Sequence, residues 1–162
     1  MSELNSNPLL DPEIETALKE QRAGKTAEAS QRCKTILEHD PNHDEALHLL
    51  GVIAYQQKNY SEALNLLRKA IDIEPKAHYY NNMGNLYNDL GQYKLAQKMY
   101  QAGLRLQPEF SSIRMNLGNV LVQLNQFEDA VFQFQAILRE SPGHSDALMN
   151  LGNLFTSMQR YE

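Results

Sequence analysis

Carboxamide side chains recur in this chain at a nearly fixed interval. The hexapeptides NMGNLY (82–87), NLGNVL (116–121) and NLGNLF (150–155) each set an asparagine on either side of a glycine. Asn82 and Asn85, Asn116 and Asn119, and Asn150 and Asn153 are therefore pairs three residues apart, and in a helix such residues share a face. A carboxamide offers one acceptor and two donors in a plane, matching the C=O and N–H of a peptide bond. Repeated at about 10 Å, the distance between packed helices, such amides would meet an extended chain at about every third residue, at roughly 3.3 Å per residue. Contacts of that kind read main chain and tolerate many sequences. On the residues alone two other readings stay open: a solvated polar face, or amides that bridge neighbouring helices.

No other constellation points to chemistry. His48 and His78 form a candidate pair on the same face, but a metal needs more ligands than two histidines, so polar lining is the expectation. His39, His43 and His144 fall near expected helix ends. Asp89, Glu128 and Asp129 are scattered along polar faces, and no nucleophile elbow, phosphate-binding glycine loop or HExxH stands in the sequence. A non-catalytic chain without a cofactor is expected. Cys33, the single cysteine, has no partner for an internal disulfide and no clustered zinc ligands, which leaves a buried reduced thiol.

The 162 residues are 42% apolar and carry a formal charge of −5. That is enough apolar content for a core, and too little positive charge to attract phosphate backbones or anionic lipid. The start, MSELNSNPLLDPE, has neither the basic nor the apolar run of a signal peptide, and no later run reaches membrane-spanning length. The reading is a cytosolic (cytoplasmic) protein whose partner is another protein or peptide.

The amides need elements to position them, and a repeat supplies these. Pro41, Pro75, Pro108 and Pro142 lie 34, 33 and 34 residues apart, as do Ala29, Ala63, Ala96 and Ala130, while Gly51, Gly84, Gly118 and Gly152 are spaced 33, 34 and 34. Within a unit the apolar residues fall at helical spacing in two runs, such as Tyr80, Met83, Leu86, Tyr87, Leu90 and then Ala96, Met99, Tyr100, Gly103, Leu104. Between the runs Gly91 suits a left-handed helix end, where the other units have Gly24, Lys58, Asn125 and Gln159. Each proline ends the second run. The unit is a helical hairpin, and the expected organisation is a tail (1–9), a divergent first repeat (10–43), repeats over 44–76, 77–110 and 111–144, and an incomplete fifth (145–162).

This pattern resembles the tetratricopeptide repeat. Residues 77–110 carry its marks as Tyr80, Met83-Gly84, Tyr87, Gly91-Gln92-Tyr93, Ala96, Tyr100, Gly103 and Pro108. Residues 44–76 carry them as Leu47, Leu50-Gly51, Ala54, Tyr60, Ala63, Leu67, Ala70 and Pro75. Residues 111–144 follow with Leu117-Gly118, Leu121, Phe127, Ala130, Phe134, Ile137 and Pro142, departing at Arg114 where a large apolar residue is usual. The first unit fits only in its second half, and its first helix puts Glu13, Thr16, Ala17 and Glu20 where bulky apolar groups belong, as an end unit would.

The resemblance implies an all-α fold, a right-handed α-solenoid of antiparallel helix hairpins (a TPR superhelix), with the first helices lining its concave side. It implies that Asn82, Asn116 and Asn150 act as the asparagine ladder does in the superhelix of O-linked N-acetylglucosamine transferases, holding a peptide in the groove. Asn81, Met115 and Met149, one position earlier, and Asn88, Val122 and Thr156, three after the trailing asparagine, would share that side. Leu49 and Val52 replace the pair in the second unit, so binding should centre on 78–156. The cationic clamp of cochaperone relatives is absent: the comparable sites hold His48, Asn81, Met115 and Met149, then His78 and Ser112.

A glycine inside a helix costs about 1 kcal/mol against alanine, so Gly51, Gly84, Gly118 and Gly152 should mark close contacts. Gly84 is expected to admit the second helix near Ala96. Tyr60, Tyr80, Tyr87, Tyr93 and Tyr100 sit at motif positions and read as core. Leu148, Leu151, Leu154 and Phe155 have half their expected cover, which favours two further expectations: an N-terminal targeting array of a longer enzyme such as a glycosyltransferase, or pairing with a second copy (a homodimer) through this open end.

Overall fold

The structure, a computed structural model, describes residues 12–158. The tail expected over 1–9 and the turn expected at Gln159 lie outside them. Among the described residues the regular elements are α-helices: α1 (Pro12–Arg22), α2 (Thr26–His39), α3 (Asp44–Gln56), α4 (Tyr60–Ile73), α5 (Ala77–Asp89), α6 (Tyr93–Leu106), α7 (Ser111–Gln123), α8 (Phe127–Glu140) and α9 (Ser145–Met158). None of them is long and apolar enough to cross a membrane.

Four turns between paired helices are built alike. Gly24, Lys58, Gly91 and Asn125 all have positive φ, between 56° and 77°. After α5, Gln92 N–H donates to Tyr87 O at 2.8 Å and Gly91 N–H to Asn88 O at 2.9 Å, the two bonds of a Schellman cap that satisfy otherwise orphaned carbonyls. The same pair of bonds closes the turns at Gly24, Lys58 and Asn125. At the other end, Asp40, Gln107 and Ser141 have left the helical region, with φ from −130° to −139°. Each precedes a proline, whose ring excludes the α conformation of its neighbour.

The chain divides into two compact units, one ending at Ile73 and one beginning at Glu74. In the first, α1 packs on α2 and α3 on α4, with α2 and α1 also touching α3. Its core joins Ile14 and Ala17 to Ala29, Cys33, Ile36, Ala46, Leu49, Leu50 and Ile53. The first helix is thus less polar than expected, because Ile14 supplies the buried apolar group. Of the residues that stand at motif positions, Ala17 is buried, while Glu13 and Glu20 both engage Arg32 of α2, at 2.7 and 2.8 Å.

In the second unit α5 packs on α6, α7 on α8, and α6 and α8 bridge to the next hairpin. Here α5 touches α7 and α7 touches α9, whereas α6 and α8 do not meet. Contact within only one layer bends this stack, with α5, α7 and α9 on its inner side. The core includes Ala96, Tyr100, Ile113, Leu117, Leu121, Ala130 and Phe134.

Gly51, Gly84 and Gly118 mark close contacts, with a partner different from the one expected, whereas a Cβ on Gly152 would meet nothing within 4 Å among the described residues, against expectation. A Cβ on Gly84 would lie 2.7 Å from Cδ1 of Tyr100 and nearer still to Cε1, so the glycine lies beneath that ring rather than against Ala96. Gly118 lies likewise beneath Phe134, and Gly51 beneath Leu67. Cβ atoms tilt toward the helix N-terminus, which moves the contact to the large residue one turn beyond the alanine.

Candidate functional site

On the inner layer of the second unit the asparagines form a linked ladder. Asn116 Nδ2 on α7 donates to both Asn81 Oδ1 and Asn85 Oδ1 on α5, each at 3.0 Å. One repeat further, Asn150 Nδ2 on α9 donates to Asn119 Oδ1 at 2.9 Å and to Met115 Sδ at 3.3 Å on α7. The pairing follows from the helical register: the leading asparagine of one repeat faces the trailing asparagine of the repeat before. The row is therefore not a set of separate amides. Bridging, one of the readings left open by the residues, accounts for the Nδ2 donors of Asn116 and Asn150.

The ladder does not use the amides up. The oxygens of Asn116 and Asn150 accept no hydrogen bond from the described residues, and the Nδ2 groups of Asn81, Asn85 and Asn119 donate none. A carboxamide whose one end is held by a neighbour is oriented, so its other end can meet a ligand with less ordering cost. These side chains carry no titratable group.

Tyr100 contributes to the same wall from behind. Its ring is almost fully buried on Gly84, and its hydroxyl donates to Asn85 Oδ1 at 2.7 Å. A buried hydroxyl needs such a partner. The sequence reading placed Tyr100 in the core and missed this bond, although the change from tyrosine to phenylalanine at Phe134, its counterpart in the next repeat, is a visible signal. With no hydroxyl there, Asn119 Oδ1 accepts only from Asn150 among the described residues.

A cleft lies beside this part of the wall. Its volume is about 210 Å³, and it is lined by Asn119, Val122, Gln123, Phe134, Asn150, Asn153, Leu154 and Ser157. It has an apolar floor in Phe134 and Leu154 and amides on its rim, a composition that can seat a small side chain while bonding main chain. Three of the expected site residues, Asn119, Asn150 and Asn153, meet here.

The remaining candidates are more dispersed. Asn82 and Asn88 are partly buried on α5, Met115 is held in the ladder through its sulfur, and Met149 on α9 is 59% exposed. His78 is exposed at the start of α5 with its ring edge-on to Tyr79, 4.4 Å between centroids. His48 is partly buried on α3 of the other unit. Among the described residues no group of three or more His, Cys, Asp or Glu side chains is placed to hold a metal ion. Arg114, the departure from the repeat pattern, is partly buried, with Nη1 3.3 Å from Gln133 Oε1 and a buried Nε that has no partner among the described residues.

Comparison with known proteins agrees with this architecture. A UDP-N-acetylglucosamine--peptide N-acetylglucosaminyltransferase of Caenorhabditis elegans is 33% identical over 79 residues, which are 48% of this chain and 7% of that protein. The chain thus spans a small fraction of the curated relative it matches. Among solved structures, an O-GlcNAc transferase of Thermobaculum terrenum is 26% identical, with TM-score 0.72 over 79% of this chain and 25% of that one. YrrB, described as a TPR protein with an unusual peptide-binding site, superposes with TM-score 0.78 at 24% identity, covering 93% of this chain and 78% of its own. PilF of Pseudomonas aeruginosa superposes with TM-score 0.82 at 24% identity, over 92% and 68%. Models of the tetratricopeptide repeat match residues 21–86, 81–143 and 115–162, nearly the whole of the described hairpins, and the chain belongs to the tetratricopeptide repeat family.

Proposed function

We propose that this chain is a non-catalytic interaction module that holds an extended segment of a partner protein along α5, α7 and α9. The observation that carries this is the half-committed asparagine ladder: donors tie neighbouring repeats, while the oxygens of Asn116 and Asn150 and the Nδ2 groups of Asn81, Asn85 and Asn119 remain to meet a peptide backbone. Asn82, Asn153 and Asn88 extend the wall, and His78, Met115 and Met149 border it; His48 is a candidate contact in the first unit. The similarity to glycosyltransferases supports a role as the N-terminal targeting part of a longer protein of that kind in the cytoplasm.

The test is capture from an immobilised peptide library. Asn116→Ala and Asn150→Ala remove ladder rungs as well as ligand contacts, so Asn153→Ala is the decisive variant, because it lines the cleft without bonding the ladder. Each lost amide contact, at about 0.5–1.5 kcal/mol, should weaken capture about two- to twelvefold with helicity and melting unchanged for Asn153→Ala. Undiminished capture by Asn153→Ala and by the Asn82→Ala, Asn116→Ala, Asn150→Ala triple variant would refute the groove.

A second reading, assembly of copies through the C-terminal end, draws on the exposure of Leu148, Met149 and Phe155 on α9. Sedimentation over a dilution series separates the two, since a strict monomer that still captures peptide removes assembly as the main role.

A further inference from the structure

The rung between α5 and α7 has a definite sense. Asn81 and Asn85 stand one turn apart on α5, and Asn116 Nδ2 gives its two hydrogens to their oxygens, at 3.0 Å each. A carboxamide carries its oxygen and its NH2 group on opposite arms of one plane. With both α5 oxygens turned to the rung, both α5 Nδ2 groups are turned off it, and Asn116 keeps its oxygen. Turning Asn85 alone would set its Nδ2 against Asn116 Nδ2, donor against donor, so the rung reverses only if all three amides turn together. The amides by themselves favour neither sense.

Tyr100 breaks that symmetry. Its side chain is 1% exposed, and its hydroxyl donates to Asn85 Oδ1 at 2.7 Å. In the reversed sense Asn85 would offer Nδ2 instead, and the phenolic proton would lose this acceptor in a place where water cannot replace it, which is costly for a buried donor. Asn85 Oδ1 thus collects one donor from α6 and one from α7, matching its two lone pairs. In the next repeat Phe134 lies on Gly118 as Tyr100 lies on Gly84, and the rung from Asn150 to Asn119 lacks the tie.

We propose that Tyr100 is the positioning residue of the groove: from inside the core it sets the sense of the α5–α7 rung, so that Asn81 and Asn85 offer a bound chain donors and Asn116 offers it an acceptor. This rests on the peptide-groove reading above and deepens it. The partner segment lays main-chain carbonyls against Asn81 and Asn85 and a main-chain N–H against Asn116. The residue facing Asn116 therefore cannot be proline, which has no N–H, whereas the residue whose carbonyl meets Asn85 needs none.

Tyr100→Phe is the probe, because phenylalanine already fills this register over Gly118. In the free full chain it should shift the side-chain NH2 resonances of Asn85 and Asn116 while those of Asn119 and Asn150 stay in place and circular dichroism is unchanged. Capture of a library peptide should weaken about two- to tenfold, the value of one hydrogen bond, and this loss should vanish in an Asn85→Ala background, since the hydroxyl acts through Asn85. In an N-methyl scan of that peptide, methylation should weaken capture at least tenfold at two positions about three residues apart, those facing Asn116 and Asn150, and Tyr100→Phe should reduce the penalty at the first alone. Unmoved Asn85 and Asn116 resonances, a Tyr100→Phe loss that persists with Asn85→Ala, or a scan without position dependence would overturn the proposal. A wild-type chain that captures no peptide would refute the groove and the consequence for its partner, with the resonances still deciding whether Tyr100 sets the rung.

Discussion

The ring of Tyr100 lies directly on the Cα of Gly84, with Cδ1 only 2.7 Å from where a Cβ would stand. The same glycine in α9, Gly152, has nothing within 4 Å of its Cβ position among the described residues. Two substitutions that look identical in sequence should therefore differ in sign. Gly84→Ala forces the buried ring aside and should destabilise by about 1–3 kcal/mol, whereas Gly152→Ala should stabilise by up to about 1 kcal/mol through helix propensity. Urea unfolding of the two variants checks this, and equal shifts would refute the assignment of Gly84 as a contact glycine.

Arg114 occupies a position where the other repeats carry Leu47, Tyr80 and Leu148. Its buried Nε has no partner among the described residues, and a buried unsatisfied donor costs about 1–3 kcal/mol. Arg114→Leu removes that donor at the expense of the 3.3 Å bond to Gln133. A net gain of about 1 kcal/mol is expected, read as a higher urea midpoint with unchanged slope.

Lys58 adopts φ 61° at a turn where Gly24 and Gly91 stand in sister hairpins. The left-handed region costs a side-chain-bearing residue about 1–2 kcal/mol, so Lys58→Gly should raise stability by about 1 kcal/mol after the added entropy of the unfolded chain. Asn125, at φ 56°, tolerates this region better than lysine. Asn125→Gly should give the smaller gain in the same melting experiment.

Glu20 accepts two hydrogen bonds from Arg32, at 3.0 and 2.8 Å, and the guanidinium holds its carboxyl below the ordinary value of 4.5. A depressed folded value means the contribution is present at neutral pH and lost as pH falls below about 4.5 through the folded value. Amide exchange in α1 should accelerate over that interval. Arg32→Met should remove most of this pH dependence; an unchanged profile would show that the tie between α1 and α2 rests elsewhere.

Much of the fold was legible because a repeat reports itself several times. Prolines, alanines and glycines kept one period, and each has a steric reason to occur where it does: a proline ends a helix, and a glycine admits a ring. The first helix was harder to read, because its register is marked by polar residues. Ile14 lies one position away from the motif residues named there, and the role of Glu13 and Glu20 becomes visible only when Arg32 is placed beside them.

The candidate site was legible as residue types and spacing. That Asn116 would face α5 and Asn150 would face α7 depends on how far each hairpin is rotated on the last, which is decided by the packing of α6 on α7 and of α8 on α9, as where Gly103 meets Ile113. The hydroxyl of Tyr100 is a polar atom delivered through the core to the back of the wall, and no periodicity distinguishes it from the phenylalanine that replaces it.

By itself, then, the amino-acid order determined the helices, their turns, the hairpin repeat and the face that carries the amides, because these depend on neighbours within a few residues along the chain. Only the tertiary structure decided which amide groups are consumed in bridges, which remain available, and where the cleft between α7 and α9 opens. Those outcomes depend on distances of about 3 Å between side chains some 31 to 35 residues apart, set by the packing of whole helices.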